Sequence, residues 1–136
     1  MNEIEIRDVW EGADVTHSAR VWDVDGTDLE TGDFGGSDDV DVFVYTESGV
    51  LAYTSTTNAI SGFLSNTLST AGRWGNKDSK GYNFTNTLTQ TSVATGPLSE
   101  SMQGGRVYRT VYVLKTTSKG NVPLVFHDRI RPVKPA

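Results

Sequence analysis

Arg106–Ile130 reads RVYRTVYVLKTTSKGNVPLVFHDRI, and it decides the fold. Its first twelve residues, Arg106–Thr117, are dominated by β-branched and aromatic side chains and read as one long strand. At about 3.3 Å per residue such a strand crosses a whole small domain. Ser118-Lys119-Gly120-Asn121 then closes a turn, and Val122–Ile130 returns with Val122, Leu124, Phe126 and Ile130 on one face. The pair is a hairpin. Pro123 has no N–H to give to a ladder, which predicts an edge position for the returning strand.

The same period of two recurs on either side of this hairpin. Ile4 and Ile6 alternate with Glu3, Glu5 and Arg7. Val15, His17, Ala19 and Val21 alternate with Thr16, Ser18, Arg20 and Trp22, which predicts a strand over Val15–Asp23. Val40, Val42 and Val44 share one face, opposite Asp41, Phe43 and Tyr45, and Thr46-Glu47-Ser48-Gly49 turns the chain into Val50–Ser55. Tyr82, Phe84, Asn86 and Leu88 share a face of a further strand, and Thr95–Gly105 is a connection punctuated by Gly96-Pro97 and Gly104-Gly105. Residues 56–80 carry scattered apolar anchors and predict a short strand plus a long loop, or a helical turn around Ile60–Leu64. Seven or eight strands at regular spacing predict an all-β, antiparallel β-sandwich, roughly immunoglobulin-like, with a small β-barrel as the alternative.

With 136 residues the chain fits one domain, and it holds no cysteine. Disulfides, thiolate zinc sites and cysteine nucleophiles are therefore excluded. The acidic, alternating start MNEIEIRDVWEG does not read as a secretion signal, and no apolar run is long enough to span a membrane as a helix. The net charge of −5 is unevenly spread. Residues 1–60 hold 14 acids and 2 arginines; residues 61–136 hold 3 acids and 10 lysines and arginines. Interleaved strands would neutralise this asymmetry within one molecule; surviving acidic and basic faces would instead let copies associate. Nucleic-acid binding is not expected, since the overall charge repels phosphate.

Residues 21–45, VWDVDGTDLETGDFGGSDDVDVFVY, raise the question of calcium, because seven of the twenty-five are aspartates. Counted from Asp23, an EF-hand loop would need Gly at its sixth position and Glu at its twelfth, where this chain has Asp28 and Phe34. A different calcium site built from Asp23, Asp25 and Asp28 is the remaining metal reading. The competing reading, that these acids form turns and keep a sheet edge in solution, is favoured, so no metal or other cofactor is expected. Two histidines, His17 and His127, both fall in strands, and no nucleophile elbow, HExxH helix or phosphate-cradling loop occurs, so the chain is not expected to be an enzyme. Trp10, Trp22, Trp74, Tyr53 and Tyr82 are candidates for a carbohydrate platform, against the plainer reading that they plug the core. Asn83-Phe84-Thr85 matches a glycosylation sequon by accident of a strand.

The C-terminal RIRPVKPA reads as an extended arm beginning at Arg131, after a domain spanning 1–130. Arg129, Arg131, Pro132 and Lys134 are its candidate interaction residues. Asp38, Asp39 and Asp41, on the acidic connection, are the complementary surface on a neighbouring copy.

GYNFTNTL (81–88) and GGRVYRTVYVLKTTSKGNVPLVFHDRI (104–130) resemble the C-terminal half of small β proteins from tailed-bacteriophage structural gene clusters. There a GYN strand precedes a Gly-Gly-x-x-Tyr-Arg strand and a closing hairpin. The resemblance covers about a third of the chain and transfers no functional residue. It implies a non-enzymatic virion structural protein, in capsid decoration or in the neck, tail or baseplate. Its partners would be other copies of itself and other virion proteins, and it would be assembled in the host cytoplasm. A carbohydrate-binding or adhesion module is the alternative.

Overall fold

A computed structural model describes residues 6–71 and 80–133. Eight strands fall within them: β1 (Ile6–Trp10), β2 (Val15–Ala19), β3 (Val40–Thr46), β4 (Leu51–Asn58), β5 (Leu64–Ser69), β6 (Tyr82–Leu88), β7 (Val107–Lys115) and β8 (Asn121–Arg131). They make two sheets, ordered β1-β8-β7-β3-β4 and β2-β6-β5. Two separate open sheets are a sandwich, so the barrel alternative is set aside. The order reproduces the immunoglobulin arrangement: β2, β6 and β5 stand as strands B, E and D, and β8, β7, β3 and β4 as G, F, C and C′. A further hallmark is present at the start of β7, where the Tyr108 hydroxyl accepts from the backbone N–H of Gln103 at 2.8 Å, a tyrosine corner.

The hairpins at β3–β4 and β7–β8 form as the alternation predicts. Leu114, Tyr112, Thr110 and Tyr108 of β7 face inward, as do Leu124, Phe126, Asp128 and Ile130 of β8. The predicted helical turn takes 3-10 form at Ile60–Gly62 and is followed by the expected short strand, β5. Two further 3-10 segments fall among the described residues, Thr31–Asp33 in the β2–β3 connection and Gln90–Thr95 ahead of the connection to β7.

Three expectations need correction. The pairing is not wholly antiparallel, because β1 runs parallel to β8, from Ile6 opposite His127 to Trp10 opposite Arg131. A strand that leaves for the opposite sheet immediately afterwards, as β1 does into β2, need not return by a hairpin. Pro123 does not put β8 at an edge; β8 lies between β1 and β7. Among the described residues β1 pairs with His127–Arg131 of β8, four residues beyond Pro123, and on the other side Pro123 stands opposite Val113 of β7. Finally, β2 ends at Ala19 rather than continuing to Asp23. Val21 stays fully buried because the Asn83 side chain binds its backbone like a neighbouring strand, accepting from Val21 N–H at 2.7 Å and donating to Val21 C=O at 2.9 Å. The sequon asparagine is thus a 3 % exposed structural group. The Glu3–Glu5 part of the first predicted strand lies outside the described residues.

Candidate functional site

The core divides in two. One cluster gathers around Phe84, Tyr112, Leu114, Leu124 and Phe126, and the other around Val15, Val44, Leu88, Tyr108 and Ile130. Between them on three strands, β2, β7 and β8, stands a polar residue: His17 between Val15 and Ala19, Thr110 between Tyr108 and Tyr112, and Asp128 between Phe126 and Ile130. All three are fully buried. His17 Nε2 lies 2.7 Å from Asp128 Oδ2, and its Nδ1 lies 2.6 Å from the Tyr112 hydroxyl, which also accepts from Asn86 Nδ2 at 3.0 Å. The imidazole stacks on the Phe126 ring at 4.5 Å. The chain of bonds therefore joins β2 and β6 of one sheet to β7 and β8 of the other.

In antibody domains a disulfide joins strands B and F, its second cysteine two residues after the corner tyrosine. That position is Thr110 here, and His17 is a core-facing residue of strand B. The cysteine-free chain ties the same two strands with a hydrogen-bonded imidazole. Because the alternation of a strand has period two, a slip of one residue in β2 would turn His17 to the outside and break the tie. Sealed from solvent, the seam has the chemistry of a structural lock rather than of a substrate site.

The charge asymmetry is partly resolved inside the molecule. Lys115 Nζ donates to Asp38 at 2.6 Å and Asp41 at 3.3 Å; Lys119 reaches Asp23 at 2.9 Å and Asp33 at 3.2 Å. Arg129 and Arg131 both approach Asp8, at 3.7 and 3.3 Å. Each of these pairs joins a basic second-half residue to an acidic first-half one.

The proposed arm residues therefore do not stand apart from the domain. Arg129 and Arg131 belong to β8, and Arg131 C=O accepts from Glu11 N–H at 2.9 Å, so the extended segment begins at Pro132. Pro132 packs on Gly104, where an added Cβ would come within 2.8 Å of Pro132 Cα. Lys134 lies outside the described residues. Among the acids, Asp38 is exposed, Asp41 is half-buried and Asp39 is buried. Asp39 accepts from the backbone of Gly36 at 3.0 Å and Ile60 at 2.9 Å, which makes it a loop anchor and not a contact surface.

The three calcium candidates point to different partners. Asp23 Oδ1 accepts from the N–H groups of Asp25 and Thr27, and its Oδ2 from Lys119, while Asp28 is paired with Arg20. Among the described residues no group of three or more acids and histidines converges as a metal site would require. Among the described aromatics, Trp10 and Tyr53 stand on strands at opposite edges of one sheet and share no platform. Trp10 is 65 % exposed on β1, Tyr53 sits partly buried on β4 at the opposite edge of that sheet, and Trp22 is half-buried in the connection after β2. Trp74 lies outside the described residues.

The Lys119 hydrogen bond, followed by those from Thr27 and Asp25, holds the Asp23 carboxyl below its ordinary 3.8 despite burial. Lys115 and Lys119 are raised above 10.5, chiefly by their hydrogen bonds to Asp38 and Asp23. A depressed acid contributes stability above its unfolded pKa and loses it as pH falls through the folded value; a raised lysine contributes below 10.5 and loses it at higher pH. The tie between the β2–β3 connection and the β7–β8 turn is therefore at full strength between these limits. Asp23→Asn should accordingly lower the melting temperature at pH 7, with the deficit closing as the pH is taken below 3.8. A deficit that persists unchanged in acid would show that the charge of Asp23 has no part in it.

The two outer faces differ sharply. On the three-stranded sheet, Thr16 pairs with Thr87 and Ser18 with Thr85, their hydroxyls 3.0 and 3.3 Å apart. On the five-stranded sheet, Phe43 lies opposite Val111 and Val111 opposite Val125, with Val113 beside Pro123 in the next row. Phe43, Val111, Val113 and Val125 are partly exposed, and Pro123 is exposed. Tyr45 stacks near Phe43, and Arg109 lies over the Tyr45 ring at 4.9 Å. An open antiparallel sheet face is ordinarily polar. An apolar centre inside a charged rim is the anatomy of a protein contact. Sequence alternation placed Phe43 and Tyr45 away from the core valines; registering β7 and β8 against them is what reveals the patch.

No protein-family model matches the chain, and no curated protein matches it.

Proposed function

We propose that the chain is a non-enzymatic structural subunit of a tailed-phage particle, acting in capsid decoration or in neck or tail assembly through protein–protein contacts. The observation that carries this reading is the apolar outer face of β3, β7 and β8, set against the hydroxyl-covered face on the other side of the sandwich. β7 and β8, which build most of that face, also carry most of the segment that resembles phage structural proteins. A rigid sandwich with a sealed polar seam suits a part that is held by neighbours. An antibody against the chain is expected to label intact particles at regular positions in electron micrographs. Unlabelled particles, with the chain confined to the particle-free lysate, would remove the reading.

A further inference from the structure

The outer face of the five-stranded sheet has ends of opposite charge. At the start of β7 lie three guanidiniums: Arg129 and Arg131, which share the Asp8 carboxylate, and Arg109, which lies over the Tyr45 ring. At its other end Asp38 and Asp41 share the single ammonium of Lys115. The apolar row Phe43–Val111–Val125 runs midway between the two ends. A surface that is apolar in the middle and opposite at its ends is complementary to itself.

We infer that this face is covered by a second copy of the chain, in an isologous, face-to-face dimer. Two orientations of the two-fold axis in the plane of the contact are compatible with stacked sheets. An axis along the strands would lay Arg109 against its own mate, which costs free energy through like-charge repulsion. An axis across the strands lays β7 antiparallel on its mate, with Val111 against Val111 and the arginine end of each copy over the Asp38–Asp41 end of the other. The charges select the second. Six residue steps from Val107 to Val113 and the four strand spacings from β1 to β4 give a contact face on the order of 20 Å by 20 Å, about 400 Å² on each copy, with the apolar row over its three middle strands. The roughly 800 Å² buried in total is below the standard specific interface of about 1,200–2,000 Å², so the dimer should be a weak one, with a dissociation constant no tighter than about micromolar order, and should weaken with salt. The inference rests on reading the face as a protein contact, but it is tested apart from any particle.

Sedimentation of the wild-type chain at about 100 µM in low salt should give a dimer, by the area estimate above. Val111→Lys, which sets two ammoniums against each other on the axis, should give a monomer with an unchanged far-UV spectrum. Arg109→Glu should weaken association at least about tenfold and abolish its salt dependence. Thr87→Lys, on the opposite outer face, should leave it unchanged. A wild-type monomer at that concentration would overturn the dimer and leave the face to a different particle protein. So would a dimer that Val111→Lys and Arg109→Glu both leave intact, because its interface would then lie elsewhere.

Discussion

Replacing His17 with alanine is expected to lower the free energy of unfolding by at least about 1–3 kcal/mol, the range for leaving a buried polar partner without its hydrogen bond. The size follows from what the substitution strands. Asp128 is fully buried, and its Oδ1 has no hydrogen-bond partner among the described residues, so the carboxyl depends on His17 at Oδ2. Removing the imidazole also takes away the Tyr112 contact and the ring stacked on Phe126. Urea denaturation should show a lower midpoint with little change in slope, since the native surface is otherwise preserved. The double variant His17→Leu/Asp128→Leu should regain most of the loss, because replacing both partners with apolar groups leaves neither one's hydrogen-bonding group stranded. If the single variant loses less than about 1 kcal/mol, ordinary for a surface change, the seam is not the lock described.

Gly96→Ala is the second large effect. Gly96 ends the Gln90–Thr95 turn with its Cα pressed against β4. An added Cβ would overlap the Ala52 carbonyl oxygen and stand 2.9 Å from Tyr53 Cα. Both obstacles are backbone, which cannot swing away as a side chain can, so the cost should be at least about 1–3 kcal/mol, the range for overpacking. The turn would be pushed off the cluster that holds Val93 and Met102. Gly32→Ala is the internal control. Gly32 has open space around its missing Cβ and no left-handed φ, so its replacement should leave the melting temperature unchanged or slightly raised. Equal effects at the two positions would refute the packing argument.

Much of this architecture is readable from the alternation of side chains, and the exceptions have physical causes. Val40, Val42 and Val44, or Leu124 and Phe126, declare their faces locally, because one side of a half-buried strand must be apolar. His17 falls on the same face as Val15 and Ala19, so its inward position is legible too. Asp128 falls on the face of Phe126 and Ile130, yet an acid in an apolar row reads as a gap in the pattern. Its partner lies 111 residues away in the chain, on the other sheet. No local rule connects them. The burial of Asn83 escapes for the same reason, since its partners are the backbone groups of a connection 62 residues earlier.

The acidic connection shows the opposite case. Its charge was legible, but its role depended on where the lysines of the second half would land. Lys115 and Lys119 flank the β7–β8 turn, and the fold brings that turn beside Asp23, Asp33, Asp38 and Asp41. Several of the charges that suggested a contact between copies are partnered within one, and it is the surplus at each end of the sheet that is left to a neighbour. The contact surface lies instead on the strand faces next to them, where Phe43, Val111 and Val125 gave no signal until the register aligned them.

The most direct test of the account is quantitative mass spectrometry of particles purified on a density gradient from the culture that produces this chain. A structural subunit should co-sediment with the particles in a fixed, multi-copy ratio to their most abundant shell or tail protein. A chain that stays at the top of the gradient, or that trails through it at a variable trace ratio, would contradict that role.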